Sequence, residues 1–166
     1  MSDYFGAIGR WKPLCNFFVQ GTPKPQPRQR HFAMKLKTGQ YKARSYDPGT
    51  AEGWKAQIAL AARDYLPTTP IEAPTRLYLL FLMPRPKSHY RTGKYAGELK
   101  LTAPYWHTIK PDIDNLQKAV MDTLSQINFW HDDDLVCVGQ IFKRYTVPGE
   151  SSGLKIEIKL WKGMER

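Results

Sequence analysis

The chain predicts an α/β fold of the α+β kind, a small mixed sheet packed by two main helices, and three observations carry that prediction. Short apolar runs of strand length recur along the 166 residues, and only two segments show helical periodicity. Pro and Gly punctuate the joins between them. A hydrophobic content of 42% over this length suits a single domain, 1–166, with a sizeable core.

Residues 1–12 read as a loose N-terminal arm. Leu14 to Gln20 is short and apolar enough for a buried strand, and Gly21-Thr-Pro-Lys24-Pro-Gln-Pro-Arg28-Gln-Arg30 ends it, its prolines holding the backbone extended. His31 to Leu36 and Gln40 to Ala43 flank Lys37-Thr38-Gly39 as a hairpin with a basic face. Trp54, Ile58, Ala61, Ala62 and Tyr65 form a helical stripe in a segment from about Thr50 to Leu66, stopped by Pro67 and Pro70. Arg76 to Met83 is almost continuously apolar, which predicts a strand covered on both faces. From 85 to 110 periodicity is lost, and lysines and arginines interleave with Tyr90, Tyr95, Tyr105 and Trp106. A loop of that length is uncommon without a function.

The second helix has the clearest pattern: Leu116, Val120, Thr123, Leu124 and Ile127 share one stripe. Asp114, with Gln117 three residues on, is a variant of the capping box and predicts Asp114 as the N-cap. Phe129 and Trp130 anchor the return. Asp132, Asp133 and Asp134 stand in a tight turn before a strand from Leu135 to Tyr145. The last strand, Leu154 to Trp161, alternates Ile156, Ile158 and Leu160 with Lys155, Glu157 and Lys159, so one of its faces meets solvent.

Charge narrows the function. The chain carries a formal net charge of +10 and a pI near 9.6, which favours a polyanionic partner. Yet acids bunch between Asp112 and Asp134. Clustered carboxylates repel DNA unless a cation sits between them. Cys15 and Cys137 are far apart and each lies beside apolar residues, as core thiols of a reducing compartment do. No apolar run reaches membrane-span length, so a soluble, cytoplasmic protein without a membrane partner is expected.

The acidic window has a geometry of its own. Residues two apart on a helix point in nearly opposite directions, so Asp112 and Asp114 share a side only if Asp112 lies in extended backbone, which Pro111 favours. Lys118 lies one turn beyond Asp114, and both project opposite the apolar stripe. One of the three later aspartates reaches the helix start if the strand from Leu135 pairs beside the segment leading into Asp112. Aspartates converging from separate elements suit magnesium, with manganese as a substitute, in phosphodiester cleavage. Lys118 would then stabilise charge on the phosphate or leaving group.

Lys110-Pro111-Asp112-Ile-Asp114-Asn115-Leu-Gln-Lys118-Ala-Val-Met-Asp122-Thr-Leu, followed by Phe129-Trp130-His131-Asp132-Asp133, resembles the signature of the RusA-type Holliday-junction resolvases, small phage and bacterial endonucleases. The resemblance implies a magnesium site of Asp112, Asp114 and Asp133, a required Lys118, and a homodimer acting on branched DNA, the four-way junction. The third aspartate, Asp134, extends the run, and family register alone selects Asp133. Pro111 stands where an arginine can occur, and Lys110 is placed to replace its phosphate contact. Lys24, Arg28, Arg30, Lys110 and Asn115 are the candidate nucleic-acid contacts.

Plainer readings stand beside these. Asp114 can be a helix cap alone, Lys118 an i,i+4 ion-pair partner of Asp114 or Asp122, and Asp132 to Asp134 a solvated turn. Asp122 reads as structural or supporting. His131 could ligate a metal, although a histidine beside a turn is more often merely exposed. The aromatic loop could stack on unpaired bases or cover a core or dimer surface. The alternative function is a non-catalytic DNA- or RNA-binding module whose acids are a cap and a turn.

Overall fold

The structure, a computed structural model, describes residues 10–27, 30–46 and 51–163. Strand β1 (Trp11–Gln20) is followed by a hairpin of β2 (Arg30–Lys35) and β3 (Tyr41–Tyr46). Helix α1 (Glu52–Ala62), strand β4 (Thr75–Met83), helix α2 (Ile113–Gln126), and strands β5 (Val136–Tyr145) and β6 (Gly153–Trp161) complete the order. The main sheet runs β1-β6-β4-β5, and β2 with β3 forms a separate two-stranded sheet. Among the described strands, β4 and β5 are the parallel pair, with the α2 crossover between them. The mixed sheet with two helices is the α+β fold that the sequence predicts.

Both helices lie on one face. Cys15, Phe17 and Val19 of β1, Leu154, Ile156 and Ile158 of β6, and Leu77, Leu79 and Phe81 of β4 join Trp54 and Ile58 of α1 and Leu116, Val120 and Leu124 of α2 in one core cluster. Fully burying one such side chain contributes roughly 1.5–3 kcal/mol. The alternation seen in β6 follows: its Lys155 side chain is exposed on the other face.

Two expectations need correction. Residues 1–9 of the predicted arm lie outside the described residues, but Trp11 to Pro13 already belong to β1. Trp11 packs edge-on against Trp161 of β6 with ring centroids 5.2 Å apart, which carries the strand back past Leu14. Pro13 fits because β1 is an edge strand with an irregular register between Pro13 and Cys15. Nor is β4 covered on both faces along its whole length, although Leu82, on the side away from the helices, is buried. Tyr78 and Leu80 are half-buried on the side away from the helices, where Tyr78 meets Phe142 with ring centroids at 5.6 Å. The near-continuous apolar run therefore reflects a central position beside aromatic neighbours.

Helix α2 is fixed at both ends. Leu116, Ala119, Val120, Thr123 and Leu124 face the core, on the predicted stripe. At its C-terminus Asn128 takes a positive φ of 56°, the Asn128 N–H donates to Ser125 O (3.0 Å) and the Phe129 N–H to Leu124 O (2.9 Å). This is a Schellman motif, which stops the helix and turns Phe129 inward. Phe129 and Trp130 are both buried, and Trp130 Nε1 donates to Ser125 Oγ at 2.8 Å. The anchor places the Asp132–Asp134 turn ahead of β5.

Candidate active site

The head of α2 is built by the segment that leads into it. Tyr145 donates its backbone N–H to Tyr105 O (3.0 Å), Trp106 bridges Arg144, and the His107 N–H reaches Lys143 O (3.4 Å). The segment before Asp112 thus runs beside the C-terminal end of β5, whereas the aspartate turn precedes its N-terminal end. A 3-10 turn spans Asp133–Leu135.

Asp112, not Asp114, is the N-cap. It sits in extended backbone (φ −71°, ψ 145°), and its carbonyl accepts the Leu116 N–H at 3.2 Å. Its carboxylate makes no capping bond with the helix. Gln117, expected to reach back in a capping box, donates forward to Met121 Sδ at 3.2 Å. Asp114 falls in the first helical turn, where the helix dipole favours a negative charge. Both aspartates are exposed and line one open cleft with Trp106, His107, Phe142 and Lys143.

A second cleft meets the first at Asp112. It is lined by Lys24, Met83, Lys110, Asn115 and the Thr22–Pro27 strap, which is tied to α2 by the Gln26 N–H donating to Asn115 O at 2.8 Å. Three candidate nucleic-acid residues, Lys24, Lys110 and Asn115, therefore border the acid-lined cleft. Arg28 lies outside the described residues, and Arg30 opens β2, opposite Tyr46 in the register.

The remaining acids stand further along the helix. Lys118 donates to Asp122 Oδ1 at 3.1 Å, so the i,i+4 pair forms with Asp122. Asp133 is acted on by Asp132, Asp122 and Lys118. Its pKa is raised from the ordinary aspartate value by burial first, then by the Asp132 hydrogen bond and like charges, with Lys118 opposing. Asp132 accepts the Asp133 N–H at 2.7 Å, and Asp132, Asp134 and His131 are exposed. Among the described residues, no group of three or more His, Cys, Asp or Glu side chains is gathered closely enough to hold a metal ion.

Two residues of the first cleft were not singled out from sequence. Lys143 lies on the helix-facing side of β5, opposite Phe81, and donates to Ile109 O (2.8 Å) and Pro111 O (2.5 Å). Burial lowers its pKa, and the nearby Asp112 carboxylate pushes it back up. His107 is buried against Tyr145, with ring centroids 4.6 Å apart, and its Nδ1 has no hydrogen-bond partner. Burial and the Lys143 charge lower its pKa, which keeps the imidazole neutral. A lysine between Ile141 and Tyr145 in strand alternation was the signal available for Lys143.

The loop from 85 to 110 is held by Arg85, which donates to Thr146 O (2.5 Å) and Pro104 O (2.8 Å). Tyr105 and Trp106 stay exposed, and Trp106 lines the first cleft. Among the described residues no helix is long and apolar enough to cross a membrane.

A family model described as endodeoxyribonuclease RusA matches residues 20–159. The uncharacterized protein YqaN of Bacillus subtilis (strain 168) is 32% identical over 122 residues, covering 72% of this chain and 80% of that protein.

Proposed function

The chain belongs to the RusA endodeoxyribonuclease family, and from that membership we propose that it is a magnesium-dependent, structure-selective endonuclease that resolves four-way DNA junctions by paired phosphodiester cleavage. The observation that carries the reading is the shared cleft of Asp112 and Asp114, two exposed carboxylates bordered by Lys24 and Lys110 in a chain of charge +10.

The donor set suits magnesium, which takes one or two carboxylates and completes its shell with water and phosphate oxygens. Asp112 and Asp114 would hold it, and family register assigns Asp133 as the third acid. Held there, the ion would supply an activated water and charge neutralisation at the leaving oxygen. This chain's residues do the rest. The strap and Lys110 attract the backbone, Lys118 offers a point charge to the phosphate once released from Asp122, and the exposed Trp106 bounds the cleft. Two opposed cuts in a symmetric junction require two sites, which a homodimer supplies. The reading places the protein in the cytoplasm of a bacterium or of a phage-infected host.

A non-catalytic nucleic-acid-binding module is the second reading, favoured by the absence of a three-acid group among the described residues. One experiment separates them: an immobile four-way junction incubated with magnesium and either wild type or Asp112→Asn. Paired nicks from wild type alone are expected. Wild type that binds the junction yet leaves every strand intact, with magnesium and with manganese, would sink the catalytic reading.

A further inference from the structure

We infer that Lys143 is a positioning residue that clamps the segment leading into Asp112 and so holds the Asp112 carboxylate in the cleft; this rests on the endonuclease reading above. The backbone ladder between this segment and β5 ends at His107, whose N–H meets Lys143 O at 3.4 Å. Beyond it the Lys143 side chain takes over. Its ammonium holds Ile109 O at 2.8 Å and Pro111 O at 2.5 Å, the second being the residue immediately before Asp112. Because the Asp112 carboxylate makes no capping bond to α2, the backbone around it must set where that carboxylate lies.

The position is costly unless it has a use. Lys143 occupies the helix-facing side of β5, in register with the fully buried Phe81, where an apolar residue would extend the core. A lysine there loses hydration and must find acceptors. An ammonium has three donors, and two carbonyls leave one for the cleft that Lys143 lines with Asp112 and Asp114. Its positive charge also lies close enough to act on Asp112. The clamp and the charge therefore serve the same carboxylate.

The test compares wild type, Lys143→Met and Lys143→Arg. Misplacement of a reacting group by about 1 Å costs about 100-fold in rate, so single-turnover junction cleavage by Lys143→Met is expected to fall about that far. Lys143→Arg, which can still hold both carbonyls, is expected to recover to within about tenfold of wild type. Junction affinity in chelator should stay within about threefold of wild type, because Lys24 and Lys110 are untouched and the Lys143 ammonium is engaged with backbone carbonyls. Hydrogen exchange of the metal-free Lys143→Met protein should quicken over 109–115 and not in β4 or β6. Cleavage by Lys143→Met within about threefold of wild type overturns the inference, as does unchanged exchange over 109–115. Exchange that quickens throughout the sheet in both variants also overturns it, since Lys143 would then hold the fold. If wild type itself fails to cut, the endonuclease reading is lost and the exchange measurement alone decides the clamp.

Discussion

The two ends of the acidic ridge on α2 differ in how their charge is handled. At the head, Asp112 and Asp114 lie at a helix N-terminus with the Lys143 ammonium beside them. Further along, Asp122, Asp132 and Asp133 crowd together with Lys118 as the cation that opposes their charge at Asp133. The head leaves its carboxylates exposed and open to the cleft. The other end raises the pKa of Asp133 and spends Lys118 on Asp122. The comparison teaches that the head is organised in the free protein, whereas Asp133 carries a burial and like-charge penalty that a bound cation would relieve.

The largest test of this contrast is at the head. Asp112→Asn is expected to lower junction cleavage by about 1000-fold, the upper range for removing one group that stabilises developing charge. It should bind the junction in chelator at least as tightly as wild type, since a repulsive charge is gone. Much weaker binding would mean that Asp112 holds the fold.

Asp133→Asn should lower cleavage by about 100-fold while raising Tm. The sign follows from the raised folded pKa: the ionised form is disfavoured in the folded state, so stability is lost as pH rises through the folded pKa and is recovered below the unfolded one. The variant should therefore gain most over wild type at neutral pH and little in acid. A lower Tm at neutral pH would refute the penalty.

A smaller effect is expected from Asp122→Asn, which frees Lys118. Cleavage should change by no more than about tenfold, because this exposed pair is worth little by itself. Loss as deep as that of Asp112→Asn would make Asp122 a member of the site.

Glu150 calibrates the series as an acid that is fully paired. Arg144 donates to both of its oxygens, at 2.6 and 2.7 Å, and that hydrogen bonding lowers its pKa. Glu150→Gln should cost about 1–2 kcal/mol near neutral pH with cleavage by the folded protein unchanged. Here the sign is opposite: the stability is present above the unfolded pKa and lost as pH falls through the folded one. A difference in melting temperature that persists in strong acid would contradict the pairing.

Much of the second helix was legible in the sequence. Its stripe, the extended backbone at Asp112 and the buried Phe129-Trp130 anchor follow from local spacing and from Pro111. The cap was misplaced by two residues, because Gln117 bonds to Met121 and the residue directly after Pro111 is the one that caps the helix. Lys143 escaped because a strand lysine reads as solvent-facing until its neighbours in register are known. Trp11 to Pro13 joined the sheet only through Trp161, far away in the chain.

The sequence by itself determined the α+β class, the acidic window in a basic chain and the one-turn relation of Asp114 to Lys118, all consequences of periodicity over a few residues. Tertiary structure decided the rest. The order β1-β6-β4-β5 sets the end of β5 beside the lead-in to Asp112 and its start beside the aspartate turn. That puts Lys143 next to the head of α2. Strand neighbours and register arise from contacts between distant segments, which no local pattern encodes.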